Sequence, residues 1–145
     1  MKKRTRAREM ALQFLYQIDQ CGVQKLEDLE EFLDTEDADA GARNHARRII
    51  EGYVDHADAI DGEIRSVAKN WELSRMAMVD RNVLRVGTWE LLHCEEVPPK
   101  VAINEAIELG KLFSTQNSGA FINGILDKIK DRLPQGSSPD PEGSN

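Results

Sequence analysis

Residues 97–113 read Val97-Pro98-Pro99-Lys100-Val101-Ala102-Ile103-Asn104-Glu105-Ala106-Ile107-Glu108-Leu109-Gly110-Lys111-Leu112-Phe113, and this stretch decides the fold class. The proline pair breaks whatever precedes it. The second proline suits a first helical position, where its missing N–H leaves nothing unpaired. Val101, Ala102, Ile103, Ala106, Ile107, Leu109 and Phe113 then recur at helical spacing, spread widely around the helix. That width predicts a central, nearly surrounded helix. Asn104 and Glu105 are the polar exceptions. Buried polar groups need partners, so both are expected to bond neighbouring helix ends or loops.

Working outward, Asp80 can cap a helix running to about Cys94, with Val83, Leu84, Gly87, Leu91 and Leu92 facing inward. Gly87 costs about 1 kcal/mol relative to alanine, which a close approach by a neighbouring helix would offset. Ser74 can cap a short turn through Met78. Ala42 to Lys69 reads as one long helix ended by Asn70, with Ile49, Tyr53, Ala57, Ile60, Ile64 and Val67 on one side. Asp34 to Gly41 reads as a solvated loop after a short acidic segment, Leu26 to Leu33. The first helix runs from Thr5 to about Gln20, its stripe formed by Ala7, Met10, Ala11, Phe14, Leu15 and Ile18, with Gly22 as its stop. Downstream, Ser114 to Gly119 is a polar loop, Ser118 can cap a last helix Ala120–Leu133, and Pro134 ends it. Gln135 to Asn145 is Gly/Ser/Pro-rich and expected to be disordered. Sustained alternation is missing throughout. The expected fold is an all-α bundle of six or seven helices, one domain over 1–134 with a seam near residue 70.

The net charge of −7 is unevenly distributed. Residues 2–8 carry five positive charges and no negative one; residues 27–39 carry eight acidic side chains and no basic one. A phosphate responds to the local field within about 8–10 Å, so the acidic total does not exclude nucleic acid. No apolar run approaches the roughly 20 residues of a membrane span, and the basic start lacks the apolar stretch of a signal peptide. A cytoplasmic protein with no membrane partner is expected. Cys21 and Cys94 lie outside any CxxC pattern and read as reduced thiols of a helical core.

Chemistry is hard to find. His45, His56 and His93 belong to no metal motif, and His93 and Cys94, as helix neighbours, point apart. Asp55, His56, Asp58 and Asp61 spread around a polar helix face and read as solvated charge. No phosphate loop or nucleophile elbow is present. No catalytic role, metal or cofactor is expected. Two segments remain. Lys2-Lys3-Arg4-Thr5-Arg6-Ala7-Arg8 offers guanidinium forks suited to phosphates, against the plain alternative of a solvated terminus. Phe121 opens the last helix beside a polar loop, where an aromatic can stack on an unpaired base; the plain alternative is a core residue.

Four ordered blocks carry a resemblance: Arg-x-Arg-Ala-Arg-Glu followed by Gln-Phe-Leu-Tyr-Gln (4–17), Asp-Arg-Asn-Val-Leu-Arg-Val with Trp-Glu-Leu (80–91), Val-Pro-Pro-Lys-Val-Ala-Ile-Asn-Glu-Ala-Ile-Glu-Leu (97–109) and Phe-Ile-Asn-Gly-Ile-Leu-Asp (121–127). Together they resemble the NusB transcription antitermination family over residues 4–130. Residues 21–48 carry little of the likeness. The resemblance implies two packed three-helix halves, sometimes with an extra helix. It implies binding to boxA-type single-stranded RNA, mainly of ribosomal RNA operons, together with NusE, a small-subunit ribosomal protein. The assembly it implies is an antitermination complex on RNA polymerase that reads through terminators. Some members self-associate, so a homodimer stays open.

By the same resemblance, Lys2, Lys3, Arg4, Arg6 and Arg8 are candidate RNA contacts, as are Tyr16, Phe121 and the loop residues Asn117 and Ser118. Asp80 and Arg81 are candidate partner contacts. Asn117 stands where some members carry an acidic residue and Ala120 where some carry a basic one, which puts the local contact pattern beside Phe121 in question. Two other readings compete. A NusB-like domain also precedes the catalytic domain of certain ribosomal RNA cytosine methyltransferases, but no methyl-donor motif is present here, and Pro134 onward reads as an end. A pure protein scaffold could dock through the acidic segment 27–39.

Overall fold

The structure, a computed structural model, describes residues 2–114 and 117–134. Helix α1 spans Lys3–Cys21 and is followed by a 3-10 turn at Val23–Asp28. Then come α2 (Leu29–Glu36), α3 (Ala40–Asp55), α4 (Ala57–Val67), a second 3-10 turn (Leu73–Arg75), α5 (Met78–His93), α6 (Pro99–Phe113) and α7 (Gly119–Asp131). Among the described residues there are seven α-helices and no strand, as the all-α reading expects. Thr115, Gln116 and the whole Gln135–Asn145 tail lie outside the described residues.

Local chemistry sets several boundaries. Gly22 ends α1 with φ of 104°, a conformation that L side chains rarely adopt. The Asp39 carboxylate accepts from the Ala42 N–H at 2.8 Å and so caps α3. Pro99 opens α6 as anticipated.

The first half is formed by α1, α2 and α3, the second by α5, α6 and α7 with α4 packed onto α5 and α7. Helix α1 packs on α3 and α5, while α5 meets α1, α3, α4, α6 and α7. The central element is therefore α5. Helix α6 was expected there, but Val101 is 44% and Leu112 63% exposed, and Asn104 is exposed as well. Its apolar girdle is wider than the surface that α1, α5 and α7 cover. Glu105 does bond a neighbouring helix.

Other boundaries moved too. The expected single helix over 42–69 is two, broken at His56 (φ −123°, ψ 28°) with no proline to announce it. The break lets Ile60, Ile64 and Val67 bury on a helix that packs against α5 and α7. Helix α2 persists to Glu36 and α3 begins at Ala40, so the loop expected over 34–41 shrinks to 37–39. Asp80 is not a cap: α5 starts two residues earlier, after Ala77, and Asp80 lies buried in its first turn. Ser118 flanks α7 but makes no capping bond; its Oγ lies 3.0 Å from Ser114 Oγ. Leu91 and Leu92 are only partly buried, and Ser74 lies inside the Leu73–Arg75 turn.

Gly87 marks a close approach, as its cost suggested: a Cβ there would stand 2.8 Å from Leu126 Cδ1 and 3.4 Å from Ala106 Cβ. Gly52 on α3 marks a tighter one. A Cβ there would run into the Trp89 indole, with Cε2 at 2.7 Å. That ring is buried and lies under the Arg48 guanidinium, 5.6 Å from its centroid, so it has little room to move. Gly52→Ala should therefore destabilise the fold by about 1–3 kcal/mol despite alanine's better helix propensity. Urea unfolding checks this; an unchanged or higher midpoint would mean that the indole shifts freely.

Candidate nucleic-acid interface

The basic start of the chain is helical, and most of its charge is already partnered. Arg8 is 4% exposed. Its Nε donates to both Glu90 oxygens at 2.9 and 3.0 Å, and its Nη1 to Glu105 Oε1 at 3.3 Å. Thr5 Oγ1 donates to the same Glu105 oxygen at 2.9 Å. From the other side, His45 Nε2 meets Glu90 Oε2 at 2.8 Å. A carboxylate only accepts, so Nε2 carries the proton. Arg8 was expected among the phosphate contacts; the fold instead spends its guanidinium in the core, where solvent barely reaches.

Arg6 lies one step further out. It donates to Glu36 Oε1 at 3.0 Å and to the Glu36 carbonyl at 3.1 Å, and pairs with Glu9 and Asp37. Lys3 reaches Asp39 at 3.7 Å and Arg4 reaches Glu96 at 3.5 Å, both in water-exposed pairs. Such pairs contribute at most about 1 kcal/mol and yield readily to a better anion. Glu96 is shared with Arg48, whose 2.5 Å hydrogen bond is the main cause that holds its carboxyl down at about 2. The Lys2 ammonium has no partner among the described residues. Within the basic start, only Lys2, Lys3 and Arg4 therefore keep charge available to a phosphate.

Asp80 and Arg81 are turned into the protein. Arg81 donates to Asp19 at 2.7 Å and to the carbonyls of Leu73, Ser74 and Met76. Asp80 is 7% exposed, and its Oδ1 has no partner among the described residues. Arg85 extends the cluster, bonding Asp19 and Asp61 while its guanidinium lies 5.0 Å from the Tyr53 ring centroid. Burial pushes the Asp19 carboxyl up, but hydrogen bonds from Arg81 and Asn82 and the charge of Arg85 outweigh it and hold it below 3.8. A depressed carboxyl contributes its stability in full above the ordinary value and loses it as pH falls through the lowered one. Asp61, expected among solvated charges, is thus a structural acceptor.

Tyr16 is half-buried on α1, Asn117 is exposed and Ser118 is buried. Phe121 is half-exposed at the start of α7 and packs partly on the core. It meets Trp71 edge-to-face, with centroids 5.6 Å apart and planes at 71°. Trp71, 55% exposed, was not singled out in the sequence, although a tryptophan in the polar stretch 69–75 lies outside any helical stripe and could have signalled it. The two thiols part company: Cys94 is buried, which lifts it to about 11, whereas Cys21 is exposed. No helix is long and apolar enough to cross a membrane. Among the described residues no three His, Cys, Asp or Glu side chains converge to hold a metal.

Arg8 and Arg4 should separate cleanly under substitution. Arg8→Ala leaves Glu90 buried beside His45 alone and is expected to cost about 3–5 kcal/mol in chemical unfolding. Arg4→Ala, which removes an exposed pair, should change stability by less than about 1 kcal/mol. Equal effects would refute the division between buried and presented charge.

Comparison with known proteins agrees with this architecture. The NusB family model matches residues 5–131. The transcription antitermination protein NusB of Anaeromyxobacter sp. is 50% identical over 133 residues, covering 91% of this chain and 92% of that protein. The NusB structure of T. maritima is 38% identical with a TM-score of 0.80, covering 94% of this chain and 96% of the other. A crystal structure of antitermination factors NusB and NusE in complex with dsRNA is 28% identical with a TM-score of 0.80, covering 92% and 99%. By a family match over nearly its whole helical length, the chain belongs to the NusB family.

Proposed function

We propose that this chain is a non-enzymatic transcription antitermination factor that binds boxA-type single-stranded RNA together with NusE. The observation that carries it is the likeness, over 92% of the chain, to a NusB solved with NusE and double-stranded RNA. On this reading the bound pair joins an antitermination complex on RNA polymerase, mainly in ribosomal RNA operons, in the cytoplasm. Residues up to 134 act as one unit.

The geometry supports an extended ligand. Lys2, Lys3 and Arg4 flank Val97, Pro98 and Val101 at the start of α6. Gly119, two residues before Phe121, lies against Ile107 and Lys111 near its other end. From Val101 to Lys111 the helix rises about 15 Å, so a strand of several nucleotides, not one base, would connect the basic start to the aromatic. Phe121 offers a base-stacking face, Asn117 and Ser118 polar contacts beside it, and Tyr16 a further aromatic on α1. Asp80 and Arg81 act on a partner through the shape of the α5 start, since Arg81 is committed to Asp19. The acidic segment 27–39 is largely engaged at home, with Glu30 on Arg47 and Glu36 and Asp37 on Arg6, which disfavours a free docking surface.

Fluorescence anisotropy with a labelled boxA-like RNA and a scrambled control, with and without NusE, tests the reading. Selective binding strengthened by NusE is expected; equal binding of both RNAs in the presence of NusE would overturn it. Replacing Lys2, Lys3 and Arg4 together by glutamine should reduce the slope of log affinity against log salt by about 2, at about 0.7 per single-strand phosphate contact. An unchanged slope would remove these three side chains from the interface.

A further inference from the structure

Unpaired positive charge gathers in one place that the basic start does not include. Among the described residues only Lys2, Arg65, Lys69, Arg75, Lys100 and Lys128 lack a carboxylate partner. Three of these six line the hollows around Trp71: Lys69 and Lys128 with Trp71, Phe121 and Gly124 in one, Arg65 and Lys69 with Trp71, Asn70 and Glu72 in the next. The first hollow holds about 390 Å³, within the range of small-ligand sites. In the edge-to-face pair, one ring keeps both of its faces free of the other. A large exposed aromatic between unpaired lysines is the pattern of single-strand binding, in which bases stack and cations follow the backbone.

Gly124 supplies an independent observation. It lies inside α7, where glycine is unfavourable relative to alanine. Packing does not require it, because a Cβ at this position meets nothing within 4 Å. Gly124 is part of the wall of the hollow, and a Cβ there would project into open space. The missing side chain keeps the floor beside Trp71 and Phe121 open.

We propose that Trp71, Phe121 and Gly124 form a pocket for one unpaired RNA base, with Lys69 and Lys128 holding the flanking phosphates and the Asn70 amide at its rim. The inference rests on the RNA-binding reading above and extends the RNA path beyond Phe121. Charge complementarity selects RNA over an apolar protein segment as the occupant: two unpaired lysines border the hollow, and no carboxylate lines it.

The test uses the full chain with NusE and the same labelled boxA-like RNA, read by anisotropy and by tryptophan emission. Trp89 is buried, so quenching on RNA addition should come from Trp71 and vanish in Trp71→Phe. Trp71→Ala should weaken binding at least about fivefold, and Trp71→Phe should restore much of it. Lys69→Gln with Lys128→Gln should reduce the salt slope by about 1.4. Gly124→Leu should raise the melting temperature while weakening binding, a pairing that a purely structural glycine would not give. Circular dichroism confirms folding of each variant. Wild-type binding with unaltered emission and unaffected Trp71→Ala and Gly124→Leu variants would overturn the pocket and leave the RNA-binding reading standing. Emission that responds to NusE and not to RNA would overturn it in favour of a protein contact. Failure of the wild type to bind RNA selectively would overturn both.

Discussion

The Glu90 carboxylate, buried on the central helix, is held by Arg8 from α1 and His45 from α3, and Arg8 passes the linkage on to Glu105 of α6. Four helices thus share one polar node at a depth where neither Arg8 nor Glu90 can be left alone without a large desolvation cost. The guanidinium, with Nε shared between both Glu90 oxygens and Nη1 on Glu105, also fixes direction. With Arg8 locked and Thr5 on Glu105, the helix can present its first turn in only one register, which leaves Lys2, Lys3 and Arg4 at the surface. A device for joining the two halves and a device for aiming the basic end are therefore the same set of bonds.

That arrangement changes the meaning of the charge pattern. The acidic excess of 27–39 and the basic cluster of 2–8 are far apart in sequence, yet Arg6 meets Glu36 and Asp37, and Lys3 meets Asp39. Much of each block is used to dock α1 against the loop between α2 and α3. What a polyanion meets is the remainder after such pairing. Pairing has not touched the lysines beside Trp71, and the aromatic pair there gives their charge a surface on which a base can lie flat.

Much of this was legible in the residues. Helical periodicity, Gly22 as a stop, Pro99 as a start and the close approach at Gly87 all follow from backbone sterics and spacing, which act within a few residues. The four sequence blocks were enough to identify the family, and Phe121 could be named from its place beside a polar loop. The break at His56 was not legible, because no proline or glycine marks it and both flanking segments keep the helical period. Nor was the exposure of Val101 and Leu112: an apolar residue does not state whether a neighbour will cover it.

By itself, the sequence determined an all-helical bundle, since periodicity and breakers are local properties of the chain, and its four ordered blocks carried the likeness to the NusB family. Only the tertiary structure decided which charges are spent. Arg4, Arg6 and Arg8 are the same residue type within five positions, yet one pairs in water, one docks a loop and one is buried, according to the carboxylates that distant helices bring to them. It likewise brought Trp71 against Phe121 across fifty residues of chain. Electrostatic and stacking partners are set by distance in space, and sequence spacing carries that information only within a single helix.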